Sequence, residues 1–487
     1  MIISRASLPS FSAGCEVYVQ DEGDLLQYIS RWSKTQVTSA AAVIVPATED
    51  DVRLTILYAA EHGVKIIPAS GGHGSFVPIT DQCIYLDMRK LDGIALDEDA
   101  GIVTLGGGVV TEAVLATLSA QGHFTCIPNS NAVGIVGFCL GGGSSPYNGL
   151  KGLAIDNIVS IQIITSSGET HTLSPDSPGA EADLFNVLCG AGFGFGVVTS
   201  ITLRAWPISE LGMTEVDQIW TRRLVFAPSA IQTAAELFAK LQTPERRMNA
   251  TLLFARAPPT APAPGSPMVM LIVHYLGAAS DAEKAAAAAL DAQYTTKALT
   301  AETSYTPIGA MNNMAGPLNR HGDYKENYAT WVPAVSPATI VAAFESFIQF
   351  GDSTREAKGT SYVIMAAKST EGMLEHDVEG RKSFPRMLRD RKVFVQVVPW
   401  WTAPVAETKA RQWAAGMLAL VNPPQRGKAA EGKDVGGETH VSAFAANMNK
   451  GIDLTAVWPK DKIVEIRRLK ALWDHRNMFW NPVVDGV

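Results

Sequence analysis

Residues 68–75 read PASGGHGS and follow directly on the strand-like run 64–67. Three glycines crowd around His73, so the backbone there is free to take positive φ and to approach a ligand with no Cβ in the way. The amide N–H groups of such a loop converge into a nest for an anion, which suits a pyrophosphate. Upstream, residues 44–69 (IVPATEDDVRLTILYAAEHGVKIIPA) spell strand, helix, strand. Thr48 caps the helix with Asp51 three residues on, Val52, Ile56 and Ala59 or Ala60 form its apolar stripe, and Gly63 stands just past its last turn. This βαβ unit delivers the glycine loop.

Two more glycine-rich stretches follow, 133–148 (VGIVGFCLGGGSSPYN) and 190–196 (GAGFGFG). A lone cluster marks an ordinary turn, whereas three in this order with these flanks are specific. The chain resembles the flavin-dependent oxidases of the vanillyl-alcohol oxidase / p-cresol methylhydroxylase (PCMH) superfamily, in the berberine-bridge-enzyme-like branch, over about residues 41–207 and again at 467–482. The resemblance implies an α+β, two-domain flavin oxidase fold. Its FAD-binding, PCMH-type domain of two small α/β subdomains spans residues 1–207. A substrate domain with an antiparallel sheet covered by helices takes residues 208–455, and a C-terminal segment, 456–487, returns to the FAD domain.

The cofactor implied is FAD, joined covalently to His73 through a ring methyl. A neutral imidazole nitrogen is a competent nucleophile near neutral pH, and such a link raises the flavin's potential and prevents its loss. The resemblance carries cofactor contacts onto Ala69, Ser70, Gly71, Gly72, Gly74 and Ser75 of the first loop. In the second it implies Ser130, Asn131, Val133, Gly134 and Gly137, then Gly141, Gly142, Gly143, Ser144 and Tyr147. In the third it implies Gly196, Val197 and Val198. The tail NMFWNP (477–482) contributes Phe479 and Asn481, with Trp480 beside them. Doubly tethered relatives carry a cysteine where this chain has Ser130, so a single tether is expected; Cys126 lies four residues, about 13 Å of extended chain, away. Val136 replaces a glycine common among relatives and bears on access of oxygen to the ring. Asp156 and Asn157 read either as FAD contacts or as an ordinary turn.

The chain is 487 residues long, 47% hydrophobic and 18% charged, which makes it globular and large enough for two domains. Its net charge of −8 and lack of a basic run argue against nucleic acid as a partner. The five cysteines show neither CxxC nor metal-ligand spacing, so neither a disulfide scaffold nor a metal site is indicated. With no signal-peptide pattern and no apolar run approaching eighteen residues, an intracellular, cytoplasmic protein with no membrane partner is expected.

Beyond residue 208 the glycine loops stop. Strands are expected at 268–275, 361–367, 393–400 and 440–446, and helices at 229–241, 280–291, 337–350, 406–420 and 462–473, with the proline-rich 257–267 as a solvated hairpin loop. Phe394, Trp400, Trp401, Met365 and Phe444 are candidate walls for a hydrophobic, ring-bearing small-molecule substrate. Relatives place a catalytic tyrosine on the last strand of this domain. The corresponding segment here, HVSAFAAN (440–447), has none, which leaves the base open among His440, Tyr324, Tyr328 and Tyr362. Two functions therefore stand. One is an FAD-linked oxidase that removes hydride from a secondary metabolite, with O2 as acceptor and H2O2 as product; the other is a redox-neutral cyclase that holds FAD as a scaffold.

Overall fold

The computed structural model describes residues 3–214, 217–377, 379–423 and 441–487. Its first sheet runs Glu16–Val19, Ala42–Val45, Cys83–Asp87, Lys65–Ala69, with the last two pairings parallel. The helix of the βαβ unit spans Glu49–His62. Thr48 and Asp51 form the capping box, and Gly63 closes the helix in the left-handed region at φ 66°. Cys83–Asp87 fills the gap between the two strands that this helix joins.

A second, fully antiparallel sheet follows in the order Ile94–Asp97, Ile102–Gly106, Val197–Arg204, Ile158–Ile164, Thr170–Leu173. Its two ends are hairpins, Ile94–Asp97 with Ile102–Gly106 and Ile158–Ile164 with Thr170–Leu173. The third glycine stretch feeds the central strand of this sheet, Val197–Arg204.

The third sheet has seven antiparallel strands: Thr300–Pro307, Gln218–Phe226, Pro267–Tyr275, Met248–Arg256, Tyr362–Lys368, Val393–Val398 and Tyr328–Val332. Helices Ile231–Leu241, Pro337–Ser353 and Glu407–Val421 pack on one face around Phe238, Phe344, Met417 and the inward residues of the strands. The proline-rich stretch is the exposed connection between Met248–Arg256 and Pro267–Tyr275.

Two expectations are corrected. The helix expected at 280–291 is broken into Ala279–Ala285, Ala287–Leu290 and Ala292–Thr295. An alanine-rich run offers little apolar surface to hold one long helix on a sheet, and Asp291 caps a new turn by accepting from the Gln293 N–H. The strand expected at 440–446 is absent from its described part, which ends with Phe444 in extended conformation before the 3-10 turn Ala445–Asn447; His440 lies outside the described residues. No helix of the described residues is long and apolar enough to cross a membrane.

Candidate functional site

The first two glycine loops are interlocked backbone to backbone. A Cβ on Gly71 would lie 2.1 Å from the Ala132 carbonyl, and one on Gly134 would lie 1.8 Å from Ser70 Oγ. Real side chains do not approach so closely, so these glycines exist to let two loops run in contact. Gly141, Gly142 and Gly143 serve packing as well, against Ala446, the Phe384 ring and Ala154. Gly137 differs. Its Cβ would meet nothing within 4 Å, and it opens onto a cavity of about 580 Å³ between the glycine loops and the seven-stranded sheet.

Ala69, Ser70, Gly71, Gly72, His73 and Gly74 line this cavity, as do Ser130, Val133, Gly134, Val136, Gly137 and Ser144 from the second stretch. Gly194, Gly196 and Val198 close one end. Several expected contacts sit one layer behind. Ser75 is buried with its hydroxyl unpartnered, and Asn131 donates to Asn313 Oδ1 at 3.1 Å. Tyr147 is packed on Phe124, and Val197 points into the first sheet's core. Cys126 lies in the main hydrophobic core, where Asn157 Nδ2 is 3.4 Å from its sulfur and burial pushes the thiol up to about 12.

The C-terminal tail brings one of its two expected aromatics to the site. Phe479 bridges in parallel to Ile66 and faces the first sheet's core; the next residue, Trp480, therefore lines the cavity. Asn481 is fully buried and spends its side chain on backbone, donating to the Phe193 carbonyl at 2.7 Å and accepting from the Val483 N–H at 2.9 Å. It positions the third glycine loop.

His73 is enclosed by Trp32, stacked at 5.5 Å between ring centroids, and by His321, edge-on at 5.8 Å. Its Nδ1 lies 2.9 Å from the Gly71 carbonyl. A carbonyl only accepts, so Nδ1 carries the hydrogen and Nε2 keeps its lone pair. Burial lowers the imidazole to about 3, which holds it neutral throughout the physiological range.

On the sheet side, strand alternation sorts the residues. Tyr362, Ile364, Ala366 and Lys368 face the cavity, while Val363 and Met365 turn to the helices. Asn249, Thr251, Met270, Ile272, His274, Phe394 and Gln396 complete that face, with Phe444 at its edge. Of the expected walls, Phe394 and Phe444 are in place. Met365 lies on the far side, Trp401 is buried beneath the Tyr324 ring, and Trp400 covers the Lys325 ammonium. Among the expected bases that lie within the described residues, only Tyr362 reaches the cavity, and burial raises its phenol, so it donates rather than accepts. Tyr324 stacks on Trp401, and Tyr328 faces the helices within 3.2 Å of Glu326.

Lys368 was hidden in the sequence because its charge reads as the end of the strand YVIMAAK; strand parity places it beside Ala366. It is 4% exposed, and burial lowers its ammonium to about 7.

The residues present fit an FAD. The chain offers three side-chain-poor loops, the open space at Gly137, and a neutral histidine at the cavity wall. A direct check is Gly137→Leu. It lies in the helix Ile135–Leu140, where replacing glycine stabilises by up to about 1 kcal/mol, while its side chain would enter the space left for the ligand. Stability of the apoprotein should hold or rise as bound flavin, read by absorbance ratio, falls several-fold; undiminished flavin would refute the placement.

The sequence profile of an FAD binding domain matches residues 40–174. The FAD-linked oxidoreductase fmqD of Aspergillus fumigatus is 31% identical over 240 residues, 48% of this chain and 47% of that protein. The matched stretch thus spans about half the length of that curated relative. Among solved structures, wild-type BBE-like 1 of Physcomitrella patens superimposes with a TM-score of 0.75 at 18% identity, covering 96% of both chains. The glucooligosaccharide oxidase of Acremonium strictum, described as carrying a 6-S-cysteinyl, 8α-N1-histidyl FAD, gives 0.73 at 16% identity over 98% of each.

Proposed function

We propose, for a chain that carries an FAD-binding domain and the two-domain fold of the berberine-bridge-enzyme-like flavin oxidases, that it oxidises a hydrophobic, ring-bearing secondary metabolite, with O2 as acceptor and H2O2 as product. The observation that carries this reading is a cavity bounded by glycine loops on one side and a largely apolar sheet face on the other. FAD, held by the first and second glycine loops and tethered to His73, would supply the oxidant that takes a hydride. The chain's own part is to bind and to orient. Phe394, Phe444, Ile272 and Met270 offer an apolar surface for the ring system, and Gln396, Asn249 and Tyr362 offer hydrogen bonds that fix its hydroxyls.

The test is anaerobic mixing of the yellow holoenzyme with a panel of hydroxylated aromatic metabolites, followed by aeration. Bleaching near 450 nm, then one peroxide per flavin reoxidised, is the expected result. A substrate converted at constant mass with no bleaching would replace this reading by redox-neutral cyclisation, which the apolar wall also accommodates.

A further inference from the structure

The geometry points to a Ser144–Lys368 pair as the group that takes the proton of a substrate hydroxyl in this cavity, the task that relatives give to a tyrosine on a different strand. The inference rests on the oxidase reading only for the hydride loss that comes after the proton step. Both residues line the cavity, Lys368 from the sheet and Ser144 from the end of the second glycine stretch. Lys368 Nζ lies 3.0 Å from Ser144 Oγ and 3.1 Å from the Ser145 carbonyl, while Asn148 Nδ2 donates to Ser144 Oγ at 3.0 Å.

The hydrogen bonds define two states. With a neutral amine, Nζ donates to the Ser145 carbonyl and accepts the Ser144 hydroxyl hydrogen. With an ammonium, Nζ donates to both oxygens, and the Ser144 hydrogen is free to turn toward the cavity. Asn148 holds the serine oxygen in place in either state. The step balances as a proton transfer: the substrate O–H breaks, the serine hydrogen passes to Nζ, and Ser144 is re-protonated by the substrate, leaving an alkoxide or phenolate beside an ammonium. No oxidant is consumed.

The surroundings favour a neutral amine. No Asp or Glu lines the cavity among the described residues, and burial brings the amine near the pH at which a base works best. The neighbouring charged groups are engaged with one another, Lys151 with Glu210 and Arg246 with Glu375. Glu371 follows on the next turn, Lys392 meets Lys368 only through its carbonyl, and His274, half-buried on the same sheet face, lies 3.0 Å from Thr221 Oγ1 and is lowered to about 4 by desolvation.

Two measurements test the pair on the holoenzyme without turnover. The first titrates p-nitrophenol, whose phenolate absorbs near 400 nm, bound to wild-type, Lys368→Met and Ser144→Ala proteins. Its apparent pKa in the wild type should fall about one unit or more below that of Lys368→Met, with Ser144→Ala between. Equal ionisation in wild type and Lys368→Met, or no binding, would overturn the proposal. The second acylates wild-type protein across pH and reads Lys368 by peptide mass spectrometry, so that a variant's failure to fold cannot decide the matter. Labelling should rise with a midpoint near 7; a midpoint above 10, or no labelling, would overturn the pair. If the flavin bleaches with substrate and the p-nitrophenol shift is absent, the pair falls and the oxidase reading stands. If the shift is present without bleaching, the pair stands and the oxidase reading falls.

Discussion

His73→Ala should release the flavin. Wild-type protein precipitated with acid is expected to keep its yellow colour in the pellet, with the His73 peptide heavier by one FAD less two hydrogens; the variant should leave the colour in the supernatant. The environment of this histidine supports the tether. Nδ1 is committed to the Gly71 carbonyl, and burial keeps the ring neutral, so Nε2 presents an unprotonated lone pair at the cavity wall across the physiological range. Because the link raises the flavin's potential, anaerobic bleaching in the variant should also slow by about tenfold or more, each decade corresponding to ~1.4 kcal/mol of barrier. Colour that leaves the wild-type pellet would remove the tether and leave the noncovalent site intact.

The glycine loops were legible because a backbone that must approach another backbone tolerates no other residue. Gly71 and Gly134 show that requirement at contact distances. The seven-stranded sheet was half hidden for the opposite reason. Gln218–Phe226 carries Arg222 and Arg223 in mid-strand, and Thr300–Pro307 is an edge strand with most of its residues exposed. The cavity face of the sheet must also hold polar groups, which blunts the alternation that announces a strand. Of the two tail aromatics expected beside the ring, Phe479 and Trp480, the structure brings Trp480 to the cavity and turns Phe479 to the core. Only the bridge from Ile66 to Phe479 fixes which face each residue takes, and a one-residue shift exchanges core for cavity. Lys368 was missed for a related reason, a charge taken for a boundary although the pleat carries it onto the cavity side.

Asp156→Ala should unfold the site from behind. The Asp156 side chain is fully buried and accepts two hydrogen bonds from Arg389, Nη1 to Oδ2 at 2.8 Å and Nη2 to Oδ1 at 2.9 Å. Lys382 Nζ adds a third at 3.1 Å, and the Leu153 N–H a fourth at 2.9 Å. The segment that bears Lys382 and Arg389 also carries Phe384, against which Gly142 and Gly190 are packed with no room for a Cβ. One carboxylate thus fastens a clamp over the second and third glycine loops. Removing it leaves the guanidinium of Arg389, 0% exposed, with the Asp377 carboxylate at 3.8 Å and the Met373 carbonyl at 3.0 Å, so the cost falls toward the lower end of the about 3–5 kcal/mol of a broken buried pair, and retention of flavin should fall together with the urea midpoint. Asp156→Asn, which keeps the shape and some of the hydrogen bonds, should lose less. Burial by itself would raise the Asp156 carboxyl, but Arg389, Lys382 and the Leu153 amide hold it below its ordinary value of 3.8. A carboxyl depressed on folding contributes stability that is present above its unfolded pKa and is lost as the pH falls through the folded one, so the difference between wild type and Asp156→Ala should shrink in acid, below about pH 4. A variant whose midpoint matches the wild type at neutral pH, or whose deficit grows in acid, would show that the clamp is held by something other than this ion pair.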